Sequence, residues 1–282
     1  MTPSFEPPAL TAATPRRPTF GLVFAGSVMG VLVLTALLGL FWTPFDPNAQ
    51  DFAAQLLTPG PPHWLGTDTL GRDLLSRLLR GASTTLMAGI IAMGAGALLG
   101  APLGAVAAYR GGAADDAIMR VLEALSALPT VLLALLFATV FRPGLAGAML
   151  AVGLSSVPAF ARVSRGGVLA QKERAFIESA RALGASGWRV LARHIAPNIL
   201  PAFIVQASLA FANAVLAEAA LSYLGLGVQP PDPSWGRMLR DAQDAIYQSA
   251  WPAVLPGALI MVTVLALNLL GDAVRDLYSR DR

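Results

Sequence analysis

Asp68, Arg72, Asp73 and Arg77 fall within a few helical turns of one another. At that spacing carboxylates and guanidiniums can pair along one helix and build an ion-pair lattice. A second charged stretch, from Glu173 to Pro201, interrupts two strongly apolar runs. Together with its approach it carries Arg162, Arg165, Lys172, Arg174, Arg181, Arg189 and Arg193. Glu218 stands alone in an apolar run, where an ionisable residue is a functional candidate by default.

Covalent and redox chemistry have little to work with here. Cysteine is absent, which removes disulfides and thiolate metal sites. The only histidines, His63 and His194, are far apart in sequence, so neither a metal cluster nor the paired ligands of a redox centre is expected. No Gly-x-Ser-x-Gly occurs and neither histidine lies in an apolar run, which disfavours an intramembrane serine protease. Lys172 is the single lysine and follows Gln171, so the Gly-Lys-Ser/Thr of a phosphate-binding loop is missing. The expectation is a chain with no cofactor of its own. If ATP drives its work, another chain binds the ATP.

The elements that position these residues belong to a bilayer. The chain is 55% hydrophobic and 13% charged, against about 25% charged in soluble domains. A net charge of +3 with dispersed basic residues does not suit nucleic acid. Six spans are expected, at 20–42, 84–109, 121–141, 145–160, 199–224 and 251–270, each long enough or nearly so for a hydrocarbon core of about 30 Å. The first is read as an uncleaved membrane helix, preceded by a disordered cytoplasmic tail at 1–19. Trp42, Tyr109, Tyr223 and Trp251 stand at span ends, as interfacial aromatics do. With the N-terminus inside, fourteen of the twenty basic residues fall on the cytoplasmic side, so both termini are expected in the cytoplasm. The permease domain then covers 20–272, with outer loops at 43–83 and 225–250, a cytoplasmic loop at 161–198 and a cytoplasmic tail at 273–282.

Within the first outer loop, Leu74, Leu75, Leu78 and Leu79 share a helical face, predicting a short helix either flat on the membrane or packed on the bundle. A second short helix is expected over 235–247. Arg142, Pro143 and Gly144 predict a minimal turn between antiparallel spans. In the basic loop, Phe176, Ala180 and Leu183 are spaced by four and three, on one helical face. Gly184 follows where such a helix would end in the left-handed conformation. A helix that short needs a partner for its apolar face. Glu178 is placed to pair with Arg181.

Glu178, Ala180, Gly184 and Pro197 resemble the EAA loop of the permease subunits of ABC importers, with Ser179 in place of the usual middle alanine and Ala196 in place of the leucine before proline. His63, Gly66, Thr67, Asp68, Gly71, Arg72, Asp73, Ser76 and Arg77 resemble the outer-loop signature of the C-type subunits of dipeptide, oligopeptide and nickel importers. The resemblance runs from about residue 20 to the C-terminus. It implies an all-α integral membrane protein with a MetI-like ABC permease fold in the prokaryotic cytoplasmic membrane. Phe176 to Gly184 would form a coupling helix docked on an ATPase. The implied partners are a B-type permease subunit, two cytoplasmic ATPases that bind the ATP and magnesium, and an extracytoplasmic binding protein. The outer-loop signature would cap the helices or touch the binding protein. The substrate would be a di- or oligopeptide, a nickel chelate, glutathione or a similar solute.

Two other classes remain in view: an ion- or proton-coupled transporter built on Glu218, and a membrane scaffold without transport. No internal repeat supports the first. Gln206 and Asn213, seven apart, share a face of the fifth span, and Glu218 lies about 140° around from Asn213. One face would meet a pore and the other a neighbouring helix. Glu123, near Arg120 and a span end, receives no special role.

Overall fold

The computed structural model describes residues 19–141 and 143–279. The expected tail through residue 18, Arg142 of the expected turn, and Arg280 and Arg282 lie outside the described residues. Among those described, all helices and no strands are found beyond a single bridge between Thr67 and Asp73. Five helices are long and apolar enough to cross a membrane, and a bent pair supplies up to a sixth.

Helix α1 (Thr19–Phe41) is apolar around its whole circumference, as a peripheral span should be. Helix α2 (Leu74–Arg110) has 37 residues, about 55 Å at 1.5 Å per residue, so it overreaches the hydrocarbon core. Its first turns are the leucine segment of the outer loop. The expected separate helix there does not exist; the segment is the projecting end of the second span. Gly81 does not break it, because it lies in close contact with Ser234 and Trp235.

The expected third span is two helices, α3 (Gly112–Ser126) and α4 (Thr130–Phe141), bent by 87°. Pro129 is the physical reason: it disfavours helical geometry at Leu128 and donates no hydrogen bond. Helix α3 is amphipathic, with Leu122 buried and Glu123 exposed to solvent, whereas α4 is apolar throughout.

Helix α5 (Leu145–Gln171) runs eleven residues past the expected end at 160. Short α6 (Ala175–Ala182) follows, then a single turn, α7 (Gly187–Arg189), leading into a wide π turn at Val190–Ile195. That turn feeds α8 (Ala196–Tyr223), so the fifth span begins earlier than 199. The wide turn sits directly before Pro197, whose missing N–H would leave a helical carbonyl without a donor. Helices α9 (Trp235–Ala242) and α10 (Trp251–Ser279) complete the described residues, the latter continuing past 270.

The central packing is α2 against α5. Gly96, Gly100 and Gly104, four apart, place bare backbone against Gly153, Ser156, Val157 and Ala161; a Cβ at Gly104 would run into the Ala161 carbonyl. Apolar surface offers no driving force between helices in lipid, so close approach of small residues supplies it instead. Ser164 adds a cross-helix bond to the Ala101 carbonyl at 2.8 Å. The two ends of the bundle differ. One gathers the 42–73 and 224–250 segments with α9; the other gathers α3, α6 and the π turn.

Candidate functional site

At the first end, glycines shape the loop that delivers the charges. Gly66 and Gly71 have φ of 79° and 73°, a region other residues enter at a penalty. Thr67, fully buried, donates to the Ala54 carbonyl and accepts from Leu57 N at 2.9 Å. Asp68 accepts from the Leu70 and Arg72 amides at 2.9 and 3.0 Å and from Arg72 Nε at 2.6 Å, with Arg77 Nε 3.5 Å away. The expected lattice therefore forms through Asp68, Arg72 and Arg77.

Asp73 departs from it. Its carboxylate caps α2, accepting from Ser76 N at 2.8 Å and Ser76 Oγ at 2.7 Å, and its other oxygen lies 3.0 Å from His63 Nδ1. An N-cap carboxylate satisfies an orphan amide and meets the positive end of the helix dipole, which outcompetes pairing with an arginine a turn away. The residue missed in the sequence is Asp241 on α9. Its Oδ2 lies 2.9 Å from Arg72 Nη2 and 3.4 Å from Arg77 Nη2, and its Oδ1 2.9 Å from Arg237 Nε. Only the Arg237–Asp241 spacing of four was a local signal. All nine signature residues thus sit in one folded cap, tied to the last loop by Asp241. Beside it opens a cleft of about 360 Å³, lined in part by Arg72, Asp232, Arg237 and Asp241.

Glu218 lies beneath this cap, fully buried. Ser222 Oγ donates to it at 2.6 Å and Thr85 Oγ1 at 3.3 Å, and the Ser234 hydroxyl also bonds its carboxyl. Each hydroxyl in turn accepts a backbone N–H, from Val228, Trp235 and Arg237 respectively. The result is a closed polar network joining α2, α8 and the start of α9, with every member satisfied. Of the two polar faces of α8, this is the one that meets neighbouring helices.

The other face is open. Gln206 is half-buried and Asn213 exposed, and with Thr130, Ser155 and Ser156 they line a cavity of about 320 Å³.

At the opposite end, α6 hangs from one anchor. Ile177 is fully buried among Ala105, Ala108, Val168, Val190 and Ile195. Phe176 and Leu183 point outward, 41% and 89% exposed, Ala180 is half-buried, and Trp188 of α7 is 76% exposed. The helix closes through the Ala185 amide to the Ala180 carbonyl at 3.0 Å, around Gly184 at φ 84°, the Schellman geometry. Glu178 is exposed; its expected partner, Arg181, has a side chain outside the described residues. Pro197 stands at the first turn of α8. The fold holds the segment in place through Lys172 Nζ, 3.5 Å from the Ala108 carbonyl, and through Asp115, which receives two bonds from Arg165 at 2.7 and 2.6 Å. That α3–α5 pair was also missed, because fifty residues separate its members.

A family model described as the binding-protein-dependent transport system inner membrane component matches residues 100–282. The chain is 37% identical over 253 residues to the probable D,D-dipeptide transport system permease protein DdpC of Escherichia coli (strain K12), covering 88% of this chain and 85% of that protein. It is 41% identical over 255 residues to the glutathione transport system permease protein GsiD of Pectobacterium atrosepticum, covering 90% and 85%. It is 40% identical over 265 residues to the di/tripeptide transport system permease protein DppC of Pseudomonas aeruginosa (strain UCBPP-PA14), covering 91% and 85%. Among solved structures, an inward-facing form of the MetNI methionine ABC transporter superposes with a TM-score of 0.57 at 20% identity, covering 71% of this chain and 95% of that one.

Proposed function

The chain belongs to the family of binding-protein-dependent transport system inner membrane components, and on that premise we propose that it passes short peptides, or a solute of similar size such as glutathione, through an ATP-driven importer. It is a multi-pass inner-membrane permease subunit with a MetI-like fold. It works beside a second permease subunit, two ATPases that bind and hydrolyse the ATP, and a binding protein on the outer face. The α6 end faces the cytoplasm, as do both termini. The observation that carries this reading is the geometry of α6: Ile177 buried, Phe176 and Leu183 presented outward on a helix too short to be stable alone. Closure of the ATPases moves this helix, and the spans rock with it.

The chain has no cysteine, so Ala180→Cys introduces a thiol without background. That variant is expected to cross-link to a cysteine placed in the ATPase cleft. Labelling of it by an impermeant maleimide added outside intact cells would reverse the topology and remove the docking role.

A proton-coupled transporter predicts something different at Glu218. Its carboxylate is filled by three hydroxyl donors inside the fold, which suits packing better than proton exchange. Glu218→Gln, which keeps volume and one acceptor oxygen while removing the charge, is expected to retain most uptake in the full complex. Uptake into vesicles should collapse on ATP depletion and persist when the proton gradient is discharged with ATP supplied. Gradient-dependent uptake abolished by Glu218→Gln would promote the secondary transporter.

A further inference from the structure

We infer that the open face of α8 is a subsite for peptide amide groups, with Gln206 and Asn213 as its recognition side chains; this rests on the peptide-permease reading. Neither amide group has a hydrogen-bond partner among the described residues, yet both sit well inside a membrane-spanning helix. An unpaired amide facing lipid is unfavourable by several kcal/mol, so this face meets water, a solute or protein. The surroundings favour a solute that both donates and accepts. Ser155 and Ser156 donate to the carbonyls of Val152 and Gly153 at 2.8 and 2.7 Å, leaving their hydroxyl oxygens as acceptors toward the cavity. Thr130 faces them from the first residue of α4, just past the 87° bend. No charged residue lines the cavity.

Spacing argues for a peptide backbone. Gln206 and Asn213 share a helical face and are separated by a rise of about 10 Å. An extended peptide advances roughly 3.3–3.6 Å per residue, so two amides at that rise match about three residues of peptide. Amide side chains present donor and acceptor together, which complements a peptide unit whatever side chains it bears. A lining without charge neither attracts nor repels charged side chains by Coulomb force. The subsite therefore reads the backbone and is indifferent to the charge of the cargo.

The test uses the complete complex in vesicles and three probes of one length: Ala-Ala-Ala, Ala-Lys-Ala and Ala-Glu-Ala. Asn213→Leu and Gln206→Met keep side-chain shape and are compatible with a membrane helix. Each is expected to lower Ala-Ala-Ala uptake about fivefold, the worth of one hydrogen bond, with the same fold-loss for the two charged peptides. Asn213→Gln, retaining an amide, should restore most of the loss. Independently, Asn213→Cys should react with a small hydrophilic thiosulfonate, and Ala-Ala-Ala should slow that reaction; this measurement stands even where the leucine variant assembles poorly. Unchanged uptake in both apolar variants overturns the subsite. So does a fold-loss that differs several-fold between the lysine and glutamate peptides, or an Asn213→Cys thiol that is inaccessible and cross-links to the second permease subunit, which would make this face a subunit interface. Failure of the wild-type complex to take up any peptide on ATP would instead sink the transport reading beneath it.

Discussion

Gly184→Val is expected to abolish coupled uptake while leaving normal amounts of the subunit in the membrane. Gly184 has φ of 84°, and a Cβ built there meets nothing within 4 Å. The penalty is therefore conformational and not a clash. The left-handed region is unfavourable for an L-residue by about 1–2 kcal/mol, and more so for a β-branched one. Helix α6 has eight residues and little stability of its own, so that strain exceeds what holds its closing turn. The Ala185 to Ala180 bond opens, and Leu183 is displaced from the face it shares with Phe176. The spans are untouched, so insertion survives. Gly184→Asn is the control, because asparagine tolerates the left-handed region and should retain most uptake. Uptake, membrane content and ATP hydrolysis by the complex are measured together. Wild-type uptake with wild-type ATPase stimulation in the valine variant would remove Gly184 from the coupling mechanism.

The parts of this site that were legible in the sequence are local ones. The face of Phe176, Ala180 and Leu183 and the terminating glycine all lie within ten residues, so helical periodicity and one backbone preference suffice to place them. The long apolar runs were legible for the same reason: composition alone decides what a bilayer accepts. Helix ends were less so. The expected end of this span at 160 falls just before Arg162 and Arg165, yet α5 continues to Gln171. A helix does not end where the bilayer does, and Arg165 is satisfied by Asp115. The same holds at the start of α2, where Leu74, Ser76, Arg77, Leu78 and Leu79 are buried within the folded cap. The break at Pro129 was visible as a residue, but the apolar run on either side of it read as a single span. Gly96, Gly100 and Gly104 share a four-residue period in the sequence, but small residues leave no trace in hydropathy.

Asp241→Ala is expected to loosen the cap and destabilise the purified complex, although nothing near Asp241 in sequence announces this. Its partners on α2 lie 164 and 169 residues away, a distance over which no periodicity speaks. Arg72 and Arg77 are almost completely buried, and Arg237 is largely so. Three guanidiniums share two carboxylates there, those of Asp68 and Asp241, and removal of one carboxylate leaves buried positive charges facing each other. Breaking a fully buried pair destabilises by about 3–5 kcal/mol. Asp241 retains 16% of its side-chain exposure, so roughly 2–4 kcal/mol is the expectation once that solvation is allowed for. Asp241→Asn, which keeps an acceptor and loses the charge, should fall between. Asp232 lines the same cleft but is exposed, and Asp232→Ala should change little. The measurement is the thermal midpoint of the detergent-purified complex, together with protease sensitivity across 225–250. A drop of several degrees with faster cleavage is expected for Asp241→Ala. Equal midpoints for the Asp241→Ala and Asp232→Ala variants would show that the arginines are held without it, and that the cap owes its order to Asp68 and the glycine-shaped loop alone.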